Sequence, residues 1–291
     1  MTVSYGLVWL FLVAVYLTLA VSYDIVGGTM GHMNLGHASF FGLGAYSTVI
    51  LMNQGLSFWA AVALAVPVTV LFAALISYPF TRLTGAYFAL GTFGLISLMN
   101  VLAHNLRDLT GGSGGISTPP GDRTVEAYYL AVIAAGATIA LSRSIARSRF
   151  GLALRSIRED ADTARAFGVP VDLYKCGALV ISSAPAAFIG GVYAWKATYI
   201  SPSSVFGLEI ALSPIVMTML GGSGTAAGPI VGVVFLTIAQ ELLWTRIPYL
   251  HLAMYGVIMV IIGLLMPGGI VRSRWFRRVM TRMGMSSRWM D

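Results

Sequence analysis

The chain has 291 residues, of which 57% are hydrophobic and only 10% are charged, and its formal net charge is +7. Soluble globular proteins carry about a quarter charged residues, so this composition excludes an ordinary soluble domain. The single cysteine, Cys176, excludes a disulfide bond within the chain and is expected to be a buried, inert thiol.

Long uncharged segments predict membrane helices along the whole chain. A helix needs about 20 apolar residues to cross the hydrocarbon core, and several uncharged runs are long enough for one or two such helices. The apolar residues are continuous and do not alternate with period two, which argues against a transmembrane β-barrel. The sequence therefore predicts an all-α, polytopic integral membrane protein with about nine spans, between eight and ten. The predicted spans are 3–23, 37–53, 57–79, 84–105, 126–142, 175–198, 205–221, 226–244 and 250–267.

The first span is expected to be retained in the mature protein. No Lys or Arg precedes its apolar run and no small-residue cleavage signal is evident, so it lacks the features of a secretory signal. We predict a transmembrane domain over residues 1–271 and a basic tail over residues 272–291.

The basic residues predict the orientation in the membrane. Seven of the 18 lie in the loop 143–175, six lie in the tail, and with Arg82 they place 14 on one side. Short loops rich in Lys and Arg stay in the cytoplasm, which predicts a cytoplasmic loop, a cytoplasmic C-terminus and an outside N-terminus. The basic tail follows a membrane helix directly, so it does not indicate a nucleic-acid partner.

Two glycine-rich segments interrupt the apolar runs, at Gly27–Gly44 and at Gly221–Pro229. Backbone that is not helical is tolerated at membrane depth only where protein or water satisfies its polar groups. Interrupted segments in both halves of a chain indicate a transporter with two structural repeats and a central pathway. The alternative is that the small residues let helices pack closely. The residues proposed here for the broken helices and the pathway are His37 and the glycines Gly36, Gly42, Gly44, Gly221, Gly222 and Gly224.

Few polar side chains accompany these interruptions. His32 and His37 are five residues apart, and only Asp24 is a nearby acid, so hydrogen bonding to the broken backbone is favoured over a metal or proton-relay site. Asp24, Glu209 and Glu241 lie close to predicted helix ends, where a solvated position costs little.

Aromatic residues near the first interruption are candidates for lining a solute pathway, although the same residues can equally form the core. They are Phe40, Phe41, Tyr46, Tyr87 and Phe88.

The loop between the fifth and sixth spans predicts a short amphipathic helix. Ser156 and Glu159 fit a capping box at its start, and Gly168 followed by Pro170 marks its end. Such a helix can lay its apolar stripe into a groove of a soluble partner, or it can lie in water or among lipid headgroups. The stripe consists of Ile157, Ala161, Ala164 and Phe167.

Five segments together carry a resemblance to a known family. They are LGHASFFGLGAYS at 35–47, LTGAYFALGTFGLI at 83–96, LTGGSGGIS at 109–117, RSIREDADTARAFGV at 155–169 and VMTMLGGSGTAAGPIVGVVFL at 216–236. The chain resembles the permease subunits of branched-chain amino acid ABC importers, and among them the M-type (LivM-like) subunit more than the H-type. The resemblance covers roughly 20–270.

This resemblance implies several partners. They are a second, H-type permease subunit, two ABC ATPase subunits that hold ATP and magnesium, and an extracytoplasmic substrate-binding protein, assembled in a bacterial inner membrane. The loop helix resembles the coupling motif of importers, with Asp162 in place of the usual Glu and Thr163 in place of Ala. The proposed coupling residues are Ser156, Arg158, Glu159, Asp160, Asp162, Ala164, Phe167 and Gly168.

The sequence agrees independently on the energy source. No GxxxxGK[ST] phosphate loop occurs, so ATP cannot bind this chain by that device, and no cofactor is expected on it. Branched-chain or similar hydrophobic amino acids are the favoured substrates, with urea, amides or aromatic acids as alternatives. A membrane-embedded enzyme and a stand-alone secondary transporter are alternatives of another class. Both would require polar residues deep in the spans, and the sequence offers few.

Overall fold

In a computed structural model, the structure describes residues 2–119, 121, 123–246, 257, 260 and 269–271. The helices are α1 Thr2–Asp24, α2 His37–Asn53, α3 Phe58–Thr81, α4 Gly85–Asn105, α5 Arg107–Thr110, α6 Thr124–Arg147, α7 Arg149–Glu159, α8 Ala161–Ala166, α9 Val171–Ala197, α10 Pro202–Phe206, α11 Leu208–Gly221 and α12 Gly228–Arg246. A π-helical turn at Ile25–Thr29, a 3₁₀ turn at Gly112–Gly114 and two short strands, β1 Ile116–Ser117 and β2 Tyr199–Ile200, complete the described elements.

The long helices fall where the uncharged runs predict them. Six helical stretches are long and apolar enough to cross a membrane: Gly6–Thr29, Phe58–Thr81, Gly85–Asn105, Thr124–Arg147, Val171–Ala197 and Pro202–Gly221. Helix α2 has 17 residues and the apolar part of α12 covers Gly228–Leu242, both shorter than a full span. The predicted span 250–267 and the tail 272–291 lie outside the described residues. The total of about nine spans stays a prediction.

The bundle has two distinct ends. At one end β1 pairs antiparallel with β2, with Ile116 opposite Ile200 and Ser117 opposite Tyr199. This pair ties the segment that follows α4 to the end of α9. At the other end, α7 and α8 connect the end of α6 to the start of α9. We call this second end the α7–α8 end.

Helix α3 shows how the sequence separates the inside of the bundle from the outside. Ala61, Ala65, Thr69 and Ala73 recur every four residues and are fully buried against the neighbouring helices. Large apolar side chains cover the opposite face of the same helix. They are Leu64, Val68, Leu71 and Leu75, all at least half exposed. Apolar side chains directed outward along a whole helix are expected where lipid or another membrane helix is the neighbour.

The core is built around α2, which packs against α9 and α3. The close approach of α2 to α9 depends on glycine. A Cβ atom at Gly44 would collide with the backbone of Ala187, and one at Gly190 would collide with the carbonyl of Phe41. Small residues that let two backbones meet are typical of membrane helix pairs. Packing, the alternative raised for the glycines, therefore accounts for Gly44.

Candidate functional site

The first interruption separates α1 from α2 and is shorter than predicted. The α-helix ends at Asp24, the π-helical turn Ile25–Thr29 follows, and α2 begins at His37. Gly42 and Gly44 lie inside the continuous helix α2, so their assignment to a broken helix is wrong. We call residues 25–36 the first break. Gly31 adopts a φ of 76° there, a conformation that favours glycine.

Side chains from several elements hold the first break in place. The Leu35 amide donates to Thr92 Oγ1 on α4 at 3.1 Å, and the Gly36 amide donates to Asn34 Oδ1 at 3.0 Å. His32 Nδ1 lies 3.1 Å from the Met30 carbonyl, as expected for a histidine that supports broken backbone. Buried backbone groups need such partners once the helical ladder stops.

His37 differs from this expectation. Its Nε2 lies 2.9 Å from the hydroxyl of Ser22 on α1, so it bonds a side chain and not the broken backbone. Its Nδ1 is buried without a hydrogen-bond partner among the described residues, as are Asn34 Nδ2, Ser39 Oγ and Tyr46 Oη. Unpaired polar groups are costly to bury, and three of these four lie within or just after the first break, whereas Tyr46 lies in the middle of α2. The start of α2 therefore retains unused hydrogen-bonding capacity.

The second interruption, residues 222–227, lies between α11 and α12 as predicted. We call it the second break. Gly222 and Gly224 have φ values of 124° and 76°, which L-residues with a side chain rarely adopt. Thr225 Oγ1 donates to the Gly222 carbonyl at 2.8 Å and accepts from the Gly228 amide at 3.0 Å. A local turn therefore closes the end of α11 onto the start of α12.

The two breaks meet at the α7–α8 end. The carboxylate of Asp24, at the end of α1, accepts a hydrogen bond from the Gly224 amide at 2.8 Å. Asp24 is only 3% exposed, so the expected solvated position at a helix end is wrong. Arg158 Nη1, from the end of α7, donates to the carbonyl of Gly28 in the π-helical turn at 2.6 Å.

The loop helix is divided into two, and it does not start where the sequence pattern predicts. Helix α7 begins after Ser148, whose hydroxyl accepts from the Gly151 amide, and it runs through Ser156 to Glu159. The Ser156 hydroxyl instead donates to the carbonyl of Ala153, so the predicted capping box is wrong. A serine and a glutamate with this spacing also occur inside a helix that starts one or two turns earlier.

Asp160 starts the second of these helices, α8. Its Oδ1 accepts from the Thr163 amide at 2.6 Å, so Asp160 and not Ser156 makes the N-cap bond that the sequence predicts in this loop. Helix α8 ends as predicted: Gly168 has a φ of 85°, and its amide donates to the Arg165 carbonyl at 3.0 Å. The glycine stop signal is therefore confirmed.

The predicted apolar stripe of the loop does not form one surface. Ile157 and Ala164 are buried within this chain, whereas Phe167 is 84% exposed. Asp162 is outward as well and forms a 2.9 Å ion pair with Arg165. Of the predicted stripe, Phe167 at the end of α8 is thus the residue whose apolar side chain is exposed.

Most of the candidate aromatic residues form the core. Phe40, Phe41 and Phe88 are at most 1% exposed, and the ring of Tyr46 stacks on that of Phe206 with 5.8 Å between centroids. Tyr87 is 73% exposed on the outer face of α4. The core alternative therefore describes the three phenylalanines, and a pathway role for Tyr46 and Tyr87 stays a prediction.

Glu209 and Glu241 border a cavity of about 320 Å³ between α1, α11 and α12, together with Gln240 and Thr237. Glu209 is exposed, as expected for an acid at a helix end. The described part of the chain contains no group of three or more His, Cys, Asp or Glu side chains placed to hold a metal ion.

Paired helix interruptions that meet at one end of an apolar bundle define the class: a multi-pass helical membrane protein with the broken-helix construction of transporters. The chain belongs to the family described as the permease component of branched-chain amino acid transport systems, whose family profile matches residues 6–263.

Individual relatives agree with this assignment. The chain is 27% identical to the high-affinity branched-chain amino acid transport system permease protein LivM of Salmonella typhimurium, over 88% of this chain and 68% of the relative. It is also 27% identical to LivM of Escherichia coli K12, over 89% of this chain and 68% of that protein. It is 24% identical to the permease protein LivH of Salmonella typhimurium, over 88% of this chain and 91% of LivH. No solved structure was found to match the chain.

Proposed function

We propose that this chain is one of two permease subunits of an ATP-driven importer of the bacterial inner membrane, and that the importer carries branched-chain or similar hydrophobic amino acids. Membership of the permease family over residues 6–263 is the observation that carries this proposal. The similarity to both LivM and LivH supports a pair of permeases, with this chain in the LivM position. Since the sequence contains no phosphate loop, ATP and magnesium are proposed to bind to separate ATPase subunits.

The α7–α8 loop is the proposed docking element for the ATPase subunits. Six of the eight proposed coupling residues lie from Glu159 to Gly168, and Phe167 near the end of this segment is 84% exposed. An exposed aromatic ring beside ionic side chains is the composition of an interface anchor with a polar rim. Docking there requires the loop on the cytoplasmic side, in agreement with the seven basic residues between Arg143 and Lys175.

Transport in this proposal is a change between outward-open and inward-open arrangements of the permease pair. ATP binding closes the ATPase dimer, displaces the loop and shifts the population of the two arrangements. The two breaks are the pliable parts, because their backbone is not fixed by a continuous helical ladder. A substrate-binding protein outside delivers the solute and selects it, so amides, urea or aromatic acids remain alternative cargoes.

The test is uptake by the complete importer in proteoliposomes: this chain, the second permease, two ATPase subunits and the binding protein. We expect leucine uptake that requires ATP and every subunit. Phe167→Ala is expected to lower the amount of copurified ATPase by about tenfold, which is typical for truncation of an aromatic interface anchor.

Leu106→Ala is the matched control, because Leu106 is an exposed apolar residue at the opposite end of the bundle. This variant should leave ATPase binding unchanged. Uptake by this chain alone, without any ATPase, would instead establish a stand-alone carrier. ATP-dependent uptake of urea or an aromatic acid, but not of leucine, would keep the importer and replace its cargo.

A further inference from the structure

Arg158 behaves differently from the other residues of the α7–α8 loop. It lies one residue before the end of α7 and is exposed, like its neighbours Glu159 and Asp160. Its guanidinium Nη1 also donates to the buried carbonyl of Gly28 in the first break, at 2.6 Å. A hydrogen bond from a charged donor to a partly buried carbonyl is among the stronger kinds in proteins. Arg158 thus connects the exposed surface of the α7–α8 end to the backbone of the first break.

Glycines of both breaks leave the room that the Arg158 side chain fills. A Cβ atom at Gly31 would lie 2.6 Å from Arg158 Cγ, so the methylene stem crosses the first break directly. A Cβ atom at Gly224 would collide with Arg158 Nη1, so the guanidinium touches the second break as well. One side chain therefore contacts three glycines that belong to two distant segments.

Asp24 completes the arrangement from the other side. Its carboxylate accepts from the Gly224 amide at 2.8 Å and interacts electrostatically with Arg158. A Cβ atom at Gly28 would collide with this carboxylate, so the first break is packed directly on Asp24. Asp24 and Arg158 therefore lie on either side of the point where the breaks meet. We call Asp24, Gly28, Gly31, Arg158 and Gly224 the junction.

We infer that Arg158 is the positioning residue that transmits movement of the α7–α8 loop to both breaks of the permease. The inference rests on the proposed function, since it assumes that ATPase subunits move the loop. In this inference helix α7 moves as one rigid unit, because Ile157 and Leu154 on its inner face are buried against the rest of the chain. Arg158 connects α7 to the backbone of the two breaks, which can change conformation. Displacement of α7 must either carry Gly28 and Gly224 along or break the contacts of the guanidinium.

A second arginine of the same helix supplies a matched control. Arg155 Nη2 donates to the carbonyl of Ala146 at 2.7 Å, which lies at the end of α6 and outside both breaks. Arg155→Gln and Arg158→Gln remove the same charge from the same helix. Only Arg158→Gln removes the contact with the breaks.

The experiment measures uptake and ATP hydrolysis of the complete reconstituted importer and reports substrate molecules moved per ATP hydrolysed. For Arg158→Gln we expect this ratio to fall by about tenfold, the size of a typical coupling between two sites. For Arg155→Gln we expect a change of less than about twofold, because its bond to Ala146 lies outside both breaks and an exposed charge contributes little by itself. Arg158→Lys keeps one charged donor and should recover part of the ratio.

Each outcome separates this inference from the proposed function. A wild-type chain that binds no ATPase overturns the proposed function, whereas a wild-type importer that works and an Arg158→Gln importer with an unchanged ratio overturn only the inference. An equal fall for Arg155→Gln and Arg158→Gln would indicate a general effect of charge and overturns it too. If Arg158→Gln fails to assemble, Arg158→Lys decides: assembly with a reduced ratio supports transmission, and failure to assemble shows a structural role alone.

Discussion

The two breaks serve the same purpose by different means. In the first break, side chains replace the missing helical hydrogen bonds. Thr92 Oγ1 accepts a hydrogen bond from the Leu35 amide, and Asn34 Oδ1 accepts one from the Gly36 amide. In the second break, the path of the chain depends more on glycine backbone conformation, because Gly222 and Gly224 both adopt positive φ. Where side chains supply the hydrogen bonds, a change in backbone conformation is costly if those side chains cannot move with it. A break that is held by glycine tolerates no added Cβ atom.

We expect the two breaks to differ in which change is most costly. In the first break this is loss of the Thr92 hydroxyl, which accepts the hydrogen bond of the Leu35 amide, and in the second break it is gain of a Cβ atom at Gly224. The junction between them should respond to both kinds of change, because the Gly224 amide bonds to the carboxylate of Asp24.

The largest effect is expected for Gly224→Ala. Alanine at a φ of 76° is strained, and its Cβ would also lie 2.9 Å from the Gly28 carbonyl and collide with Arg158. Strain and overpacking together should lower the free energy of unfolding by about 2 to 5 kcal/mol. The measurement is the unfolding free energy of the purified complex in detergent.

Gly168→Ala isolates the backbone contribution to that effect. Gly168 has a φ of 85°, yet nothing lies within 4 Å of a Cβ atom built there. Its cost should therefore be the strain of about 1 to 2 kcal/mol alone. Equal costs for the two variants would show that the second break has room for a side chain, and the comparison of the two breaks would fail.

The intermediate effect is expected for Thr92→Val, which acts on the first break. The valine leaves the Leu35 amide without its 3.1 Å acceptor while the side-chain volume barely changes. An unpaired amide at this position should cost about 1 to 3 kcal/mol in the same unfolding measurement.

Thr138→Val is the matched control for this variant. Thr138 is buried as well, but its hydroxyl donates only to the Ala134 carbonyl one turn earlier in α6. We expect Thr138→Val to leave stability nearly unchanged, because that carbonyl already belongs to a helical ladder. Similar losses for both variants would mean that the threonine hydroxyl matters in any helix and not specifically in the first break.

The smallest effect is expected for the stability of helix α8, which should depend on pH. This prediction extends the comparison from the two breaks to the α7–α8 loop. The Thr163 amide donates to the Asp160 carboxylate, which lowers the pKa of this exposed carboxyl below its usual range. A depressed pKa in the folded state means that the cap stabilises α8 above about pH 4 and loses its effect as the pH falls through the folded pKa. Amide hydrogen exchange over 161–166 should therefore accelerate at acidic pH.

Asp160→Asn is the control for this pH dependence, since asparagine still accepts the Thr163 hydrogen bond and cannot ionise in this range. Exchange in 161–166 should then be independent of pH after correction for the intrinsic rate. The amides of the first break should show no such dependence through Asp160 in either protein. A matching acid response in the first break would show that α8 and that break open as one unit.

The sequence predicts where the two interruptions lie, but it does not predict which residues they begin and end at. Glycine content marked both segments, and Gly168 correctly marked the end of α8. Gly42 and Gly44 have the same composition signal yet lie within α2, because the close approach of α9 also requires glycine. Composition cannot distinguish a glycine needed for backbone conformation from one needed for packing.

The start of the loop helix was mispredicted for a comparable reason. Ser156 and Glu159 have the spacing of a capping box, but Ser148 already caps a helix that continues through them. The amphipathic α7 buries Leu154 and Ile157, and this packing fixes where the helix lies. Local pattern is weak information when tertiary contacts choose between two starting points.

The sequence by itself determined the membrane helices, because a charge in hydrocarbon is so costly that uncharged runs mark the spans without any knowledge of their neighbours. Only the tertiary structure decided what joins them. Asp24 reaches Gly224 across 200 residues, and Arg158 reaches Gly28 across 130. Each of these contacts depends on how rigid helices are placed relative to one another, and no local pattern in the chain records that placement.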